Sequence, residues 1–300
     1  MDLAKVVGFV LLGVLMLFGI AMYAYVPKTT SNNCAHNKSD WPNNRFVKDF
    51  SENLHLPVRD AFVNYVPMQF AQSAEDLVLE GFIRIIGLEF TKIRYLDIGA
   101  YDPIASNNTF LFYHYGATGV LVEPHSHQCD RIRKARPKDK LVCGVAVSGK
   151  SGKTKLYVNF HEELSSLKPL QAEKYKQWFP DSHVVFEKEI DGYNINEILQ
   201  ENFTDGIDLL STDIEGFDFE ILSAIDYTRF KPKIIITESM LAETEKLLTK
   251  NGYTKVWGNK INLIYLDNTY LIHNKSASIL LGGKGLVPPH TNHSSFKKGN

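Results

Sequence analysis

The 300-residue chain predicts an α/β domain built on a doubly wound sheet that finishes in an antiparallel hairpin. Three observations carry this. Short runs with apolar residues on both alternations recur from residue 93 to residue 239, the pattern of parallel strands covered on both faces. Helical patterns separate these runs, as a parallel sheet requires. Two last runs, close together around a Gly-Asn pair, read as adjacent strands joined by a turn.

The strand-like runs are "IRYLDIG", "TGVLVEP", "KLVCGVAVS", "IDLLSTDIEG" and "PKIIITES". Ahead of them, "QSAEDLVLEGFIRIIG" reads as a helix opened by Ser73, with Asp76 three residues later at capping-box spacing. "FLFYHY" reads as a core helix. "SHQCDRIRKA", "DFEILSAID" and "LAETEKLLTKNG" are the remaining helical stretches, and Gly252 is placed to terminate the last. "YTKVWGN" and "NLIYLDN" supply the hairpin. The domain spans 67–272.

Outside it, residues 1–5 form a short flank, and residues 6–26 carry no charged side chain. At 1.5 Å per helical residue the latter segment reaches about 31 Å, enough for a single membrane span and longer than the apolar part of a signal peptide. Residues 27–66 read as a stem and 273–300 as a loose tail. The expected setting is a single-pass protein of the endoplasmic reticulum or Golgi, with its orientation open. Lys28, Lys38 and Arg45 after the span, and a dilysine-like "KKGN" terminus, lean toward a cytosolic domain. Five Asn-x-Ser/Thr sites, at Asn37, Asn107, Asn202, Asn274 and Asn292, lean toward a glycosylated lumenal one. Cys34, Cys129 and Cys143 have no zinc-ligand spacing, and their pairing is open. The net charge of −1 implies no basic face, which speaks against nucleic acid. Homo-oligomerisation stays open.

Ligands of such sheets sit at the carboxyl ends of the strands. The first strand ends in "DIGAYD", with Gly99 alone where a dinucleotide site needs Gly-x-Gly-x-x-Gly, and no phosphate-binding loop occurs elsewhere. Asp97 and Asp102 would oppose a pyrophosphate and suit a cationic amino-acid moiety. Glu123, ending the second strand, can accept both ribose hydroxyls. One glycine, an acid pair and a ribose acid point to S-adenosylmethionine. Singly, each signal has a structural explanation: Asp97 as a helix cap, Glu123-Pro124 as a turn.

From about Gln69 to Asp267 the chain resembles the FkbM-type S-adenosylmethionine-dependent methyltransferases. The resemblance rests on "QSAEDLVLE", "YLDIGAYDPIASNNTFLFYHYGATGVLVEP", "GVAVSGKSG", "LLSTDIEGFDFEIL", "KPKIIITES" and "GYTKVWGNKINLIYLD", in order and at matching spacing. It implies a class I, Rossmann-like methyltransferase fold and methyl transfer, typically to a hydroxyl of a sugar or other natural product. Asn107 departs from a usual Ser-Asn-Thr, and that departure itself creates the Asn107 sequon.

An alcohol acceptor needs a base. Asp213, ending the fourth strand, is the first candidate, and Glu215, two residues on, the second; helix capping or turn anchoring is the alternative for each. His161, or Ser165, in the loop "NFHEELSSLKP" is a candidate acceptor contact, against a solvated loop histidine. Tyr101, Ser148 and Glu75 complete the cofactor candidates with Asp97, Gly99, Glu123 and Asp213. No metal is assigned, because no histidine or third acid is clearly spaced to join Asp213 and Glu215. The expected function is membrane-anchored O-methyl transfer to a carbohydrate or glycoconjugate. The rival is a non-catalytic membrane adaptor of the Star type.

Overall fold

The structure, a computed structural model, describes residues 69–273. Its centre is a seven-stranded sheet in the order β3-β2-β1-β7-β8-β10-β9. β1 (Arg94–Ile98), β2 (Thr118–Glu123), β3 (Lys140–Cys143), β7 (Leu209–Thr212) and β8 (Ile234–Thr237) run parallel. β9 (Tyr253–Gly258) and β10 (Leu263–Asp267) form the expected hairpin, with β10 antiparallel to both β8 and β9.

Successive residues of each strand face opposite layers, and both layers are apolar. Leu96, Ile98, Leu210 and Ile235 pack with α5 (Ile195–Asn202), α6 (Asp218–Ala224) and α7 (Ala242–Lys250). Tyr95, Leu209, Ile234 and Ile236 pack with α1 (Glu75–Ile85), α2 (Phe110–His114) and α8 (Asn268–His273). Such two-sided burial is why these strands read as unbroken apolar runs. α3 (Ser126–Ala135) follows β2 as the sequence predicts. Ser73 does not cap α1: the helix begins after Ala74, and Asp76 instead accepts the amides of Phe70 and Leu77.

The third expected strand is two. Gly144, at φ +74°, turns the chain out of the main sheet. β4 (Val145–Ser148) then joins β5 (Gly152–Asn159) and β6 (Val184–Asn194) in a separate sheet of order β4-β6-β5. Most of β6 is exposed and four of its residues are charged, so no apolar period marked it. This layer carries the segment 160–183, including α4 (Gln171–Tyr175), beside the strand ends of the main sheet.

Two of the three cysteines meet: Cys129 of α3 and Cys143 of β3 form a disulfide, with Cα atoms 5.9 Å apart. The anchor expected at 6–26, the stem at 27–66 and the tail beyond His273 lie outside the described residues. Among the described residues no helix is long and apolar enough to cross a membrane.

Behind β1 and β2 a fully buried guanidinium organises the fold. Arg136 pairs with Asp139 at 2.7 Å and donates to Tyr95 Oη, Thr109 Oγ1 and Asn107 Oδ1 at 2.9–3.0 Å. Removing one partner of a buried ion pair typically costs about 3–5 kcal/mol. Arg136→Met should therefore lower the stability read from the urea midpoint by about that amount; an unchanged midpoint would show that the network does not hold the fold.

Candidate functional site

The main sheet places the ends of β1, β2 and β7 side by side. Gly99, just past β1, has φ +86°, and a Cβ there would fall 1.8 Å from the Asp213 carbonyl oxygen. The glycine is thus required by close packing between two strand ends. Tyr101, also at positive φ, turns its amide onto Glu123 Oε2 at 2.8 Å, while Glu123 Oε1 accepts the His125 amide at 2.8 Å. Each carboxylate oxygen keeps a lone pair for a further donor.

A pocket opens at this junction. Gly99, Tyr101, Glu123, Asp213 and Glu215 line it, and Val145, Ala146 and Val147 of β4 form an apolar wall. Glu162, Glu163, Ser165 and Ser166 of the loop after β5 close another side. Five of the lining residues are acidic and none is lysine or arginine. Burial pushes the Glu123 carboxyl up to about 7, only partly opposed by the amides of His125 and Tyr101. Burial likewise raises Asp213, Glu215, Asp218 and Glu238; repulsion from Asp218 raises Glu215 further, that from Asp213 raises Asp218, and that from all three raises Glu238, whereas a hydrogen bond with Glu238 partly opposes the rise at Asp213. Burial also favours the neutral ring of His125.

The pocket gathers only some of the sequence-predicted residues. Asp97 lies beneath it, with Oδ2 accepting Thr109 Oγ1 at 2.7 Å and Asn107 Nδ2 at 3.3 Å; it anchors the 107–109 loop. Asn107, buried and bonded through both ends of its amide, cannot carry a glycan in this fold. Asp102 faces away, capping the amides of Ile104 and Ala105 and pairing with Arg131. Glu75, fully buried, receives Ser73 N and the side-chain amides of Asn259 and Asn262, so it fastens the hairpin turn to α1 without lining the pocket. Ser148 is bonded to Lys150, because the departure of β4 from the main sheet carries it away. His161 also stays outside: its Nε2 meets Asp181 at 2.8 Å and its ring packs between Phe160 and Phe179.

Other residues arrive unannounced. The register Thr212↔Thr237 makes Asp213 and Glu238 neighbours just beyond β7 and β8. One oxygen from each of Asp213, Glu215 and Glu238 lies within 4.8 Å of the others, an all-oxygen set of the kind hard divalent cations take. Glu238 is the third acid that the sequence did not place. Its signal was there, a carboxylate directly after an apolar run, as for Glu123 and Asp213. Glu215, at φ +54°, receives the Tyr175 hydroxyl, and Ser166 Oγ donates to its carbonyl at 2.8 Å. These contacts join the β5–α4 segment to the acids; nothing in its polar sequence announced them.

The sequence matches the family described as the methyltransferase FkbM domain over residues 97–255. Among solved structures, a methyltransferase FkbM from Methylobacillus flagellatus KT is 13% identical, with a TM-score of 0.38, over 76% of this chain and 60% of its own. The chain thus spans less than two thirds of that relative's length. A precorrin-6y C5,15-methyltransferase from Geobacter metallireducens GS-15 is 12% identical, with a TM-score of 0.35, over 67% of this chain and 93% of its own. No curated protein matches the sequence. Since the family match takes in more than half of the residues, on the strands that build the pocket, the chain belongs to the FkbM methyltransferase family.

Proposed function

We propose that the chain is an S-adenosylmethionine-dependent O-methyltransferase acting on a hydroxyl of a carbohydrate or glycoconjugate. The acid-lined pocket without a lysine or arginine on its wall carries this reading. Such a wall repels phosphates and favours a cationic ligand. Glu123 would hold the ribose hydroxyls, the β4 wall the base, and the Asp213–Glu215 side the charged end. Bound there, the donor supplies an electrophilic methyl group.

The chain's own residues then orient the acceptor and take its proton. Holding two reactants in line can lower a barrier by roughly 7–11 kcal/mol, and a positioned base adds about 10²–10⁴-fold. Asp213, fixed between Gly99 and Glu238, is the base in this reading, and Glu215 with Tyr175 borders the acceptor side. The exposed rings of Phe160, Trp178 and Phe179 near α4 suit the apolar face of a sugar.

Titration calorimetry with the full chain tests donor binding. Loss of even one charge-assisted bond, worth about 1.5–3 kcal/mol, should make Glu123→Ala bind at least roughly 10–100-fold more weakly. The Glu123 carboxyl in the ligand-free protein is raised to about 7, so the ionised form is present above that pH and lost below it. Wild-type affinity should therefore fall as the pH drops through this range, and Glu123→Gln should flatten the dependence. No binding by the wild type would favour the adaptor reading.

For placement, we propose a single-pass anchor at 6–26 with the domain on the lumenal side. The disulfide between Cys129 and Cys143 supports this side, because such bonds persist in oxidising compartments. Sealed microsomes should protect the domain from added protease, and detergent should abolish the protection. Digestion without detergent would place the domain in the cytosol.

A further inference from the structure

At the rim of the pocket, away from the carboxylates of β7 and β8, two loops bring together a different kind of cluster. His125 and His127 flank the first residue of α3, and Glu162 opens the 3-10 turn Glu162–Leu164 after β5. One ring nitrogen from each histidine and one oxygen of Glu162 all lie within 4.8 Å of one another. His127 Nε2 and Glu162 Oε2 are 2.8 Å apart. An exposed ion pair of this sort contributes little, so it does not explain why a second imidazole is buried against it. His125 is only 9% exposed. Its ring meets His127 edge to face, with centroids 5.9 Å apart, and has no hydrogen-bond partner among the described residues. Two imidazoles and a carboxylate, converging on one point where two loops meet at the pocket rim, form a set of donors arranged for a shared ligand.

The donor set identifies the occupant's chemistry. Two imidazole nitrogens and one carboxylate oxygen suit zinc and related first-row divalent cations, whereas magnesium and calcium prefer oxygen alone. Tetrahedral bonds of about 2.0–2.2 Å place the donor atoms roughly 3.3–3.5 Å apart, so modest side-chain rotation completes the site. Three protein ligands leave a fourth position for water or ligand.

We propose that His125, His127 and Glu162 form a zinc-type cation site that clamps the loop after β5 to the turn after β2. Both loops border the pocket: His125 and Pro124 on one side, Glu162 and Glu163 on the other. A cation between them fixes the spacing of those walls. By linkage, it binds more tightly to the donor-loaded protein to the same degree that it tightens donor binding. The metal site itself does not depend on the donor reading; only this coupling does.

The test uses the untagged full-length chain, stripped with a chelator and titrated with Zn²⁺ by calorimetry and with Co²⁺ by visible absorption. The wild type should take up one Zn²⁺ at this site, and Co²⁺ should give the bands of a low-symmetry nitrogen–oxygen site. His127→Ala and Glu162→Gln, both at exposed side chains, should each weaken uptake at least tenfold, while Glu238→Gln retains it. They also cover the case in which the buried His125→Ala fails to fold. Zinc should tighten S-adenosylmethionine binding in the wild type and not in His127→Ala. Absence of stoichiometric uptake, or uptake unaffected by His127→Ala and Glu162→Gln, would overturn the site; bound zinc with unchanged donor affinity would overturn the clamp. Should the donor bind under no condition, zinc uptake still decides the metal site on its own.

Discussion

Carboxylates at adjacent strand ends are held out of water with no cationic side chain paired to them among the described residues, and most of the architecture around the pocket answers to that. Glu123, Asp213, Glu215, Asp218 and Glu238 are all raised by burial. Among the described residues none of the five forms a salt bridge. The nearby Lys168 is spent on the Gly216 carbonyl and Glu220. A protein can keep such a group by protonating it, by hydrogen-bonding it or by binding a cation. Amides from Tyr101 and His125 serve Glu123, and the Tyr175 hydroxyl serves Glu215. What those bonds leave uncompensated is the binding energy available to a positively charged ligand.

Keeping the acids in place needs a rigid floor. Arg136 supplies it from behind, tying Tyr95 on β1, Asn107 and Thr109 on the following loop and Asp139 before β3 into one buried network. Asp97 completes this floor rather than the pocket wall. The disulfide adds a covalent link at the same level: Cys143 is the registered neighbour of Glu123 across β2 and β3. Gly99 lets the β1 turn lie against the Asp213 carbonyl, so the two strand ends cannot drift apart without opening the cleft.

Burial left a legible mark on the sequence, and long-range pairing left almost none. Strands β1, β2, β7 and β8 are apolar on both faces, and each showed as a run; the residues closing three of them, Glu123, Asp213 and Glu238, stand at the junction. β6 is largely exposed, and it stayed hidden until it paired with β4 and β5. The same gap hid the placement of Ser148 away from the pocket, because nothing local marks Gly144 as the point where the chain changes sheets. Glu75 and Asp97 were expected at the cofactor, and neither lines the pocket. Burial beneath a site and exposure within it leave the same residue in the same motif, and only the partners, Asn259 and Asn262 for Glu75 and Thr109 for Asp97, separate the two.

A crystal structure of the chain with S-adenosylmethionine addresses the central claim most directly. The account predicts ribose hydroxyls on Glu123 and the sulfonium on the Asp213–Glu215 side, with the β5 loop closed over it. Donor density elsewhere, or a cleft filled by Tyr101, Glu162 or Glu163 in the presence of saturating donor, would contradict it.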